Sequence, residues 1–158
     1  MTEGRFIELV SKEQEGLRRF LLALCGRREL AEDLAQEVLI KAWMACGSYE
    51  EHYRFSTWLC KIGYRTYVDH LRRTAHAPLP LDESLPLVAD EQADSAFRYE
   101  ELHRALARLP LKERTAVLLF YLEELPVREV ARAMQVSPLA VKKLLQRGRE
   151  KLRNTLER

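Results

Sequence analysis

Apolar side chains recur at three- and four-residue spacing along most of the chain, the period of helices that bury one face. Phe6, Leu9, Val10, Leu17, Phe20, Leu21 and Leu24 predict a helix over 5–25, and Gly26 is its stop signal. Leu30, Leu34, Val38 and the Ala42/Trp43 pair predict a second over 29–46, closed by Gly47-Ser48. After an aromatic connector, Tyr49 to Arg54, a third helix is marked by Phe55, Trp58, Leu59, Ile62, Val68 and Leu71 and ends in Arg72-Arg73. Pro78, Pro80 and Pro86 then interrupt the period, which resumes near Ala96 and runs to Leu109. Pro110, Pro126 and Pro138 fit the first position of later helices, where a missing N–H costs nothing, and so predict helices over about 111–124, 127–134 and 138–155. No period-two strand pattern survives. The chain reads as all-α, with two small helical domains (1–74 and 96–158) joined by a flexible acidic linker (75–95).

A short helix, the turn Gln135-Val136-Ser137 and a longer basic helix follow the helix-turn-helix plan. Val130, Ala131 and Met134 pack the first helix, Val136 plugs the turn, and Val141, Leu145, Gly148 and Leu152 line one side of the second. Ser137 before Pro138 is a good N-cap. Many such turns place Gly with positive φ where Gln135 stands, so Gln135 is expected there at some strain. The other side of the long helix presents Lys142, Lys143, Gln146, Arg147, Arg149 and Arg153. Cations on one helix face suit a polyphosphate duplex, because each neutralised phosphate releases counterion, and Lys and Arg can also read guanine edges. The blander reading is a solvated charged helix.

Charge sharpens this picture. The 158 residues hold 26 Lys+Arg and 24 Asp+Glu, a net of +2. Residues 1–74 carry 12 basic and 11 acidic groups, 75–101 carry 1 and 7, and 102–158 carry 13 and 6. A basic end and an acidic connector are therefore hidden within near neutrality. A 47% hydrophobic and 32% charged composition excludes global disorder. No apolar run of about 18 residues exists, so membrane insertion is not expected, and no signal-peptide pattern opens the chain; the expected location is the cytoplasm.

Cys25, Cys46 and Cys60 form no Cys-x-x-Cys pair and sit among apolar helical neighbours, as small core residues do. A Cys46/His52/Cys60 metal or redox site is the other reading of them. His52, His70, His76 and His103 lack paired ligand spacing, and no phosphate loop or nucleophile elbow is present. Neither catalysis, nor a metal, nor a cofactor is expected.

At this point the chain resembles a family, the extracytoplasmic-function (group IV) bacterial sigma factors, over nearly its whole length apart from the linker. Ala31-Glu32-Asp33-Leu34-Ala35-Gln36-Glu37-Val38 through Trp43 is similar to one family helix. Phe55-x-x-Trp58-Leu59-x-x-Ile62 and Asp69-x-Leu71-Arg72-Arg73 resemble the promoter-melting segment next to it. Leu106 through Leu109-Pro110-x-x-x-Arg114, Val130-Ala131 and Val141-Lys142 through Arg147-x-Arg149-x-x-Leu152 resemble its carboxy-terminal domain.

The resemblance implies that Asp33, Gln36 and Glu37 dock on the β′ clamp helices of RNA polymerase core. A carboxylate-amide-carboxylate face suits Arg-rich helices through charge-assisted hydrogen bonds. It implies that Ser48, Tyr49, Tyr53, Lys61, Arg65, Arg72 and Arg73 handle the −10 element, the tyrosines by stacking on unpaired bases and the cations by holding phosphates. Phe55 and Trp58 read as core. Lys142, Lys143, Gln146, Arg147 and Arg149 would bind the −35 element. Further implied partners are the β flap of the polymerase, promoter DNA and an anti-sigma factor. The linker is either a solvated tether or a segment running near the RNA exit path. Two rivals stand beside this reading: a stand-alone helix-turn-helix regulator, and a helical adaptor for an acidic protein.

Overall fold

The computed structural model describes residues 1–75 and 93–157. The first lobe contains α1 (Glu3–Cys25), α2 (Arg28–Met44), a 3-10 turn at Cys46–Ser48 and α3 (Phe55–Thr74). Thr2 starts α1, its Oγ1 accepting from the Arg5 N–H at 3.2 Å. Gly26 ends it in the left-handed region, φ 72°, with its N–H on the Leu22 carbonyl at 2.8 Å. Phe20, Leu21, Leu24, Leu34, Val38 and Leu59 are fully buried between the three helices. Gly63 lets α3 approach α1, since a Cβ there would lie 3.3 Å from Leu17 Cδ1. The aromatic connector is pinned by ring packing. Tyr49 lies 5.3 Å from Phe55 and 5.2 Å from Trp58, centroid to centroid, and Phe6 lies 5.1 Å from Trp43.

The second lobe contains α4 (Ala93–Arg108), α5 (Leu111–Val117) continuing into a π-helical turn (Leu118–Leu122), α6 (Val127–Met134) and α7 (Pro138–Leu156). The proline expectation holds for Pro138 alone; Pro110 and Pro126 stand one residue earlier, as the extended caps of α5 and α6. Nor does the expected helix over 111–124 run as one α-helix. Thr115, Ala116, Val117, Leu118 and Leu119 are buried in succession, so this stretch is enclosed on every side, while Lys112 before it and Tyr121 after it are exposed. It widens into a π turn, with the Glu123 N–H reaching the Leu118 carbonyl at 3.1 Å, and it stops at Leu122. The acidic stretch expected to tether the lobes lies, over 76–92, outside the described residues, and α4 begins at Ala93 rather than near Ala96.

The lobes pack together, α3 on α6 and α1 on the π turn, so one apolar core runs through both. Polar contacts rim this seam. Arg19 grips the Glu123 carboxylate at 3.1 and 3.3 Å, and Arg114 donates to the Leu24 carbonyl at 2.7 Å. Arg65 donates to Gln135, and the Arg132 guanidinium lies 5.2 Å from the centre of the Tyr53 ring. Among the described residues there is no strand, and no helix is long and apolar enough to cross a membrane.

Candidate nucleic-acid interface

The helix-turn-helix forms where the sequence placed it. Gln135 takes the left-handed conformation, φ 57° and ψ 46°, and its N–H meets the Arg132 carbonyl at 3.3 Å. A side chain at such φ costs roughly 1–2 kcal/mol. Its hydrogen bond with Arg65 and the burial of Val130 and Met134 beside it hold it there. Ser137 Oγ accepts from the Ala140 N–H at 3.1 Å and starts α7, while Val130 and Val141 bury completely at the crossing of α6 and α7.

The back of α7 rests on α5. Gly148 sits against Val117, and Lys151 holds the buried Glu113 carboxylate at 2.9 Å. The front of α7 is thereby turned outward. Lys142, Lys143, Gln146 and Arg147 are exposed, and none of these four side chains has a hydrogen bond or ion pair to another described residue. Arg149 is also exposed, but it donates to the Tyr121 hydroxyl at 3.0 Å. Tyr121 thus belongs to the surroundings of this face, a pairing across 28 residues that no local spacing announces.

The residues expected at the −10 element divide into two groups. Ser48, Arg72 and Arg73 are exposed and Lys61 is half-exposed, Ser48 in the connector and the others spread along α3. Tyr53 and Arg65 instead face the second lobe, beneath Arg132 and against Gln135. Tyr49 packs its ring in the aromatic cluster and donates its hydroxyl to the Tyr53 carbonyl. Burial pushes both phenols above the usual tyrosine range; Arg132 opposes this at Tyr53.

On α2, Asp33 and Gln36 are exposed, and Glu37 pairs with Lys41 at 3.2 Å. Ile40 and Met44 continue the same helix face, 61% and 80% exposed. Sequence reasoning passed over them, although their i+4 spacing from Gln36 puts them opposite the buried Leu34, Val38 and Ala42. Cys60 is buried, with its thiol pushed well up by desolvation, and Cys25 is half-buried. His52 pairs with Glu50 at 3.2 Å on the surface, and among the described residues no three His, Cys, Asp or Glu side chains gather to hold a metal.

Two family models match the chain in order, sigma-70 region 2 over residues 9–77 and sigma-70 region 4 over residues 99–152. The chain is 27% identical to the ECF RNA polymerase sigma factor SigW of Bacillus subtilis, covering 98% of this chain and 90% of that protein. It is 30% identical to the ECF RNA polymerase sigma factor SigM of Mycobacterium tuberculosis, covering 96% and 76%. The fold is similar to that of the sigma factor RpoE from Bartonella quintana, solved with the anti-sigma factor NepR, with a TM-score of 0.78, 22% identity and 97% coverage of both chains. It is also similar to CnrH, solved with the cytosolic domain of CnrY, with a TM-score of 0.76, 19% identity and coverage of 99% and 90%. The ordered pair of region matches and the 30% identity to SigM over 96% of this chain mean that it belongs to the ECF RNA polymerase sigma factors.

Proposed function

We propose that this sigma factor directs core RNA polymerase to promoters by reading a −35 element with α7 and holding a melted −10 element with its first lobe. The observation that carries the reading is the front of α7, where Lys142, Lys143, Gln146 and Arg147 stand outward on a helix fixed from behind by Val141, Leu145 and Gly148. An exposed cationic helix on such a support offers its charge to phosphates and its Gln and Lys to base edges. Residues 96–158 take the −35 role in this reading, and 1–74 take core binding and the −10 role. Residues 75–95 connect them.

Asp33, Gln36 and Glu37 on α2 dock on the β′ clamp helices, and the second lobe meets the β flap. Ser48, Lys61, Arg72 and Arg73 lie open to hold the −10 strand. Tyr49, Tyr53 and Arg65 join them once the contacts to Arg132, Gln135 and the aromatic cluster give way, so −10 engagement competes with the lobe seam. An anti-sigma partner fits the same reading, since the neighbouring folds RpoE and CnrH were each solved with a second protein.

Run-off transcription from genomic fragments with core enzyme and the full chain tests the proposal. Promoter-dependent transcripts are expected. Arg147→Ala should weaken promoter binding by about 1–3 kcal/mol if it reads a base, with core binding unchanged. Gln36→Ala with Glu37→Ala should weaken core binding instead. Absence of both transcripts and core binding refutes the reading, and tight operator binding without core would favour a stand-alone regulator.

A further inference from the structure

Resting on that −35 reading, we infer that Leu139 is a specificity-determining residue of the recognition helix, and that its ligand is the C5-methyl group of a thymine in the major groove. Leu139 is the second residue of α7 and is 63% exposed, a large apolar side chain on the exposed cationic face of that helix. The core does not require it, because Val141, Leu145 and Gly148 already bury the opposite side of the helix.

Helical geometry fixes its neighbours. At 100° per residue, Leu139, Lys143 and Gln146 fall on one stripe directly opposite the buried face, with Lys142 and Arg147 on its two flanks. The flanking cations suit the phosphate walls of a groove, and the stripe between them points at the base edges. Along that stripe Gln146 and Lys143 are hydrogen-bonding groups, matched to adenine and guanine edges. Leu139 is the one apolar member, and the thymine methyl is the one apolar group those edges present. Glu150, next on the stripe about 6 Å beyond Gln146 along the axis, marks where the helix leaves the anionic groove.

The test uses holoenzyme assembled from core polymerase and the full chain. Preferred −35 sequences are selected from a randomised duplex, and each thymine on either strand is then replaced by deoxyuridine, which removes the methyl group alone. Wild-type holoenzyme should lose about fourfold in binding at one thymine, the value of one methyl contact. Leu139→Ala holoenzyme should bind the thymine and deoxyuridine duplexes equally, with core binding unchanged, and Leu139→Met should keep the discrimination. A selected element without thymine in the register, or a deoxyuridine effect that survives in Leu139→Ala at every position, overturns the inference. If Arg147→Ala still weakens promoter binding in that case, the −35 reading stands without this residue. If no promoter selectivity appears at all, both fall.

Discussion

Gly148→Ala tests whether the crossing of α5 and α7, which aims the recognition helix, is as tight as it looks. A Cβ at position 148 would lie 2.8 Å from Val117 Cγ2, with the Glu113 carbonyl oxygen and Cβ at 3.7 and 3.8 Å. Val117 is buried and branched at Cβ, so its methyl cannot swing aside without changing χ1. Forcing a methyl into such a contact costs typically about 1–3 kcal/mol. Replacing a helix-interior glycine by alanine returns roughly 0.5–1 kcal/mol, because the unfolded chain loses freedom. The balance is a net loss of about 1 kcal/mol, or about 2–4 °C in Tm for a chain of this size. Thermal unfolding followed by circular dichroism reads it directly. Val117→Ala opens the space, so the double variant should lose less than the two single variants added together, by at least about 0.5 kcal/mol. A Tm that rises in Gly148→Ala, or strict additivity in the cycle, would show that the crossing is looser than argued.

The same packing sets three further outcomes. Ser137→Ala removes the cap on the Ala140 N–H and should cost about 1 kcal/mol in thermal unfolding; an unchanged Tm would mean that the cap contributes nothing. Lys151→Ala leaves the buried Glu113 carboxylate without its ammonium partner and should cost about 1–3 kcal/mol, and adding Glu113→Gln should restore part of that loss. Burial holds the Glu123 carboxyl above its ordinary 4.5 while Arg19 opposes the shift. The folded chain therefore takes up a proton at Glu123 more readily than the unfolded chain. Its contribution to stability improves as pH falls through the raised folded value and levels off below 4.5. The Tm of the wild type relative to Glu123→Gln should then be higher at about pH 5 than at about pH 7; a constant difference would contradict the burial argument.

Much of the fold was legible in the residues. The buried stripe of α7, the Ser137 cap and the positive φ at Gln135 are local consequences of helical period, a short polar side chain and a three-residue turn. The exposed face of α2 was half legible: Asp33 and Gln36 announced themselves as polar, whereas Ile40 and Met44 entered no sequence argument although they lie opposite the core. The seam was not legible. Arg65 meets Gln135 across 70 positions and Arg19 meets Glu123 across 104, and neither residue's own neighbourhood carries a sign of its partner. Glu113 reads as a surface residue and is buried only because α7 folds over it with Lys151. The π turn escaped for a related reason, since the burial of Leu118 and Leu119 comes with the packing of this segment on α1 of the first lobe.

That π turn also preserves the phase of the two helices beyond it. Its i to i+5 bond between Leu118 and Glu123 stores one residue more than an α turn would hold. Deleting one residue from Leu118–Leu122 would let the helix continue as α. The α turn that replaces it covers nearly the same rotation with one residue fewer, so the rest of the chain keeps its phase. Glu123 would still face Arg19, and Gln135 would still face Arg65. The π turn therefore absorbs one residue of length without changing which face of the helix-turn-helix is offered to the first lobe and which is left for DNA.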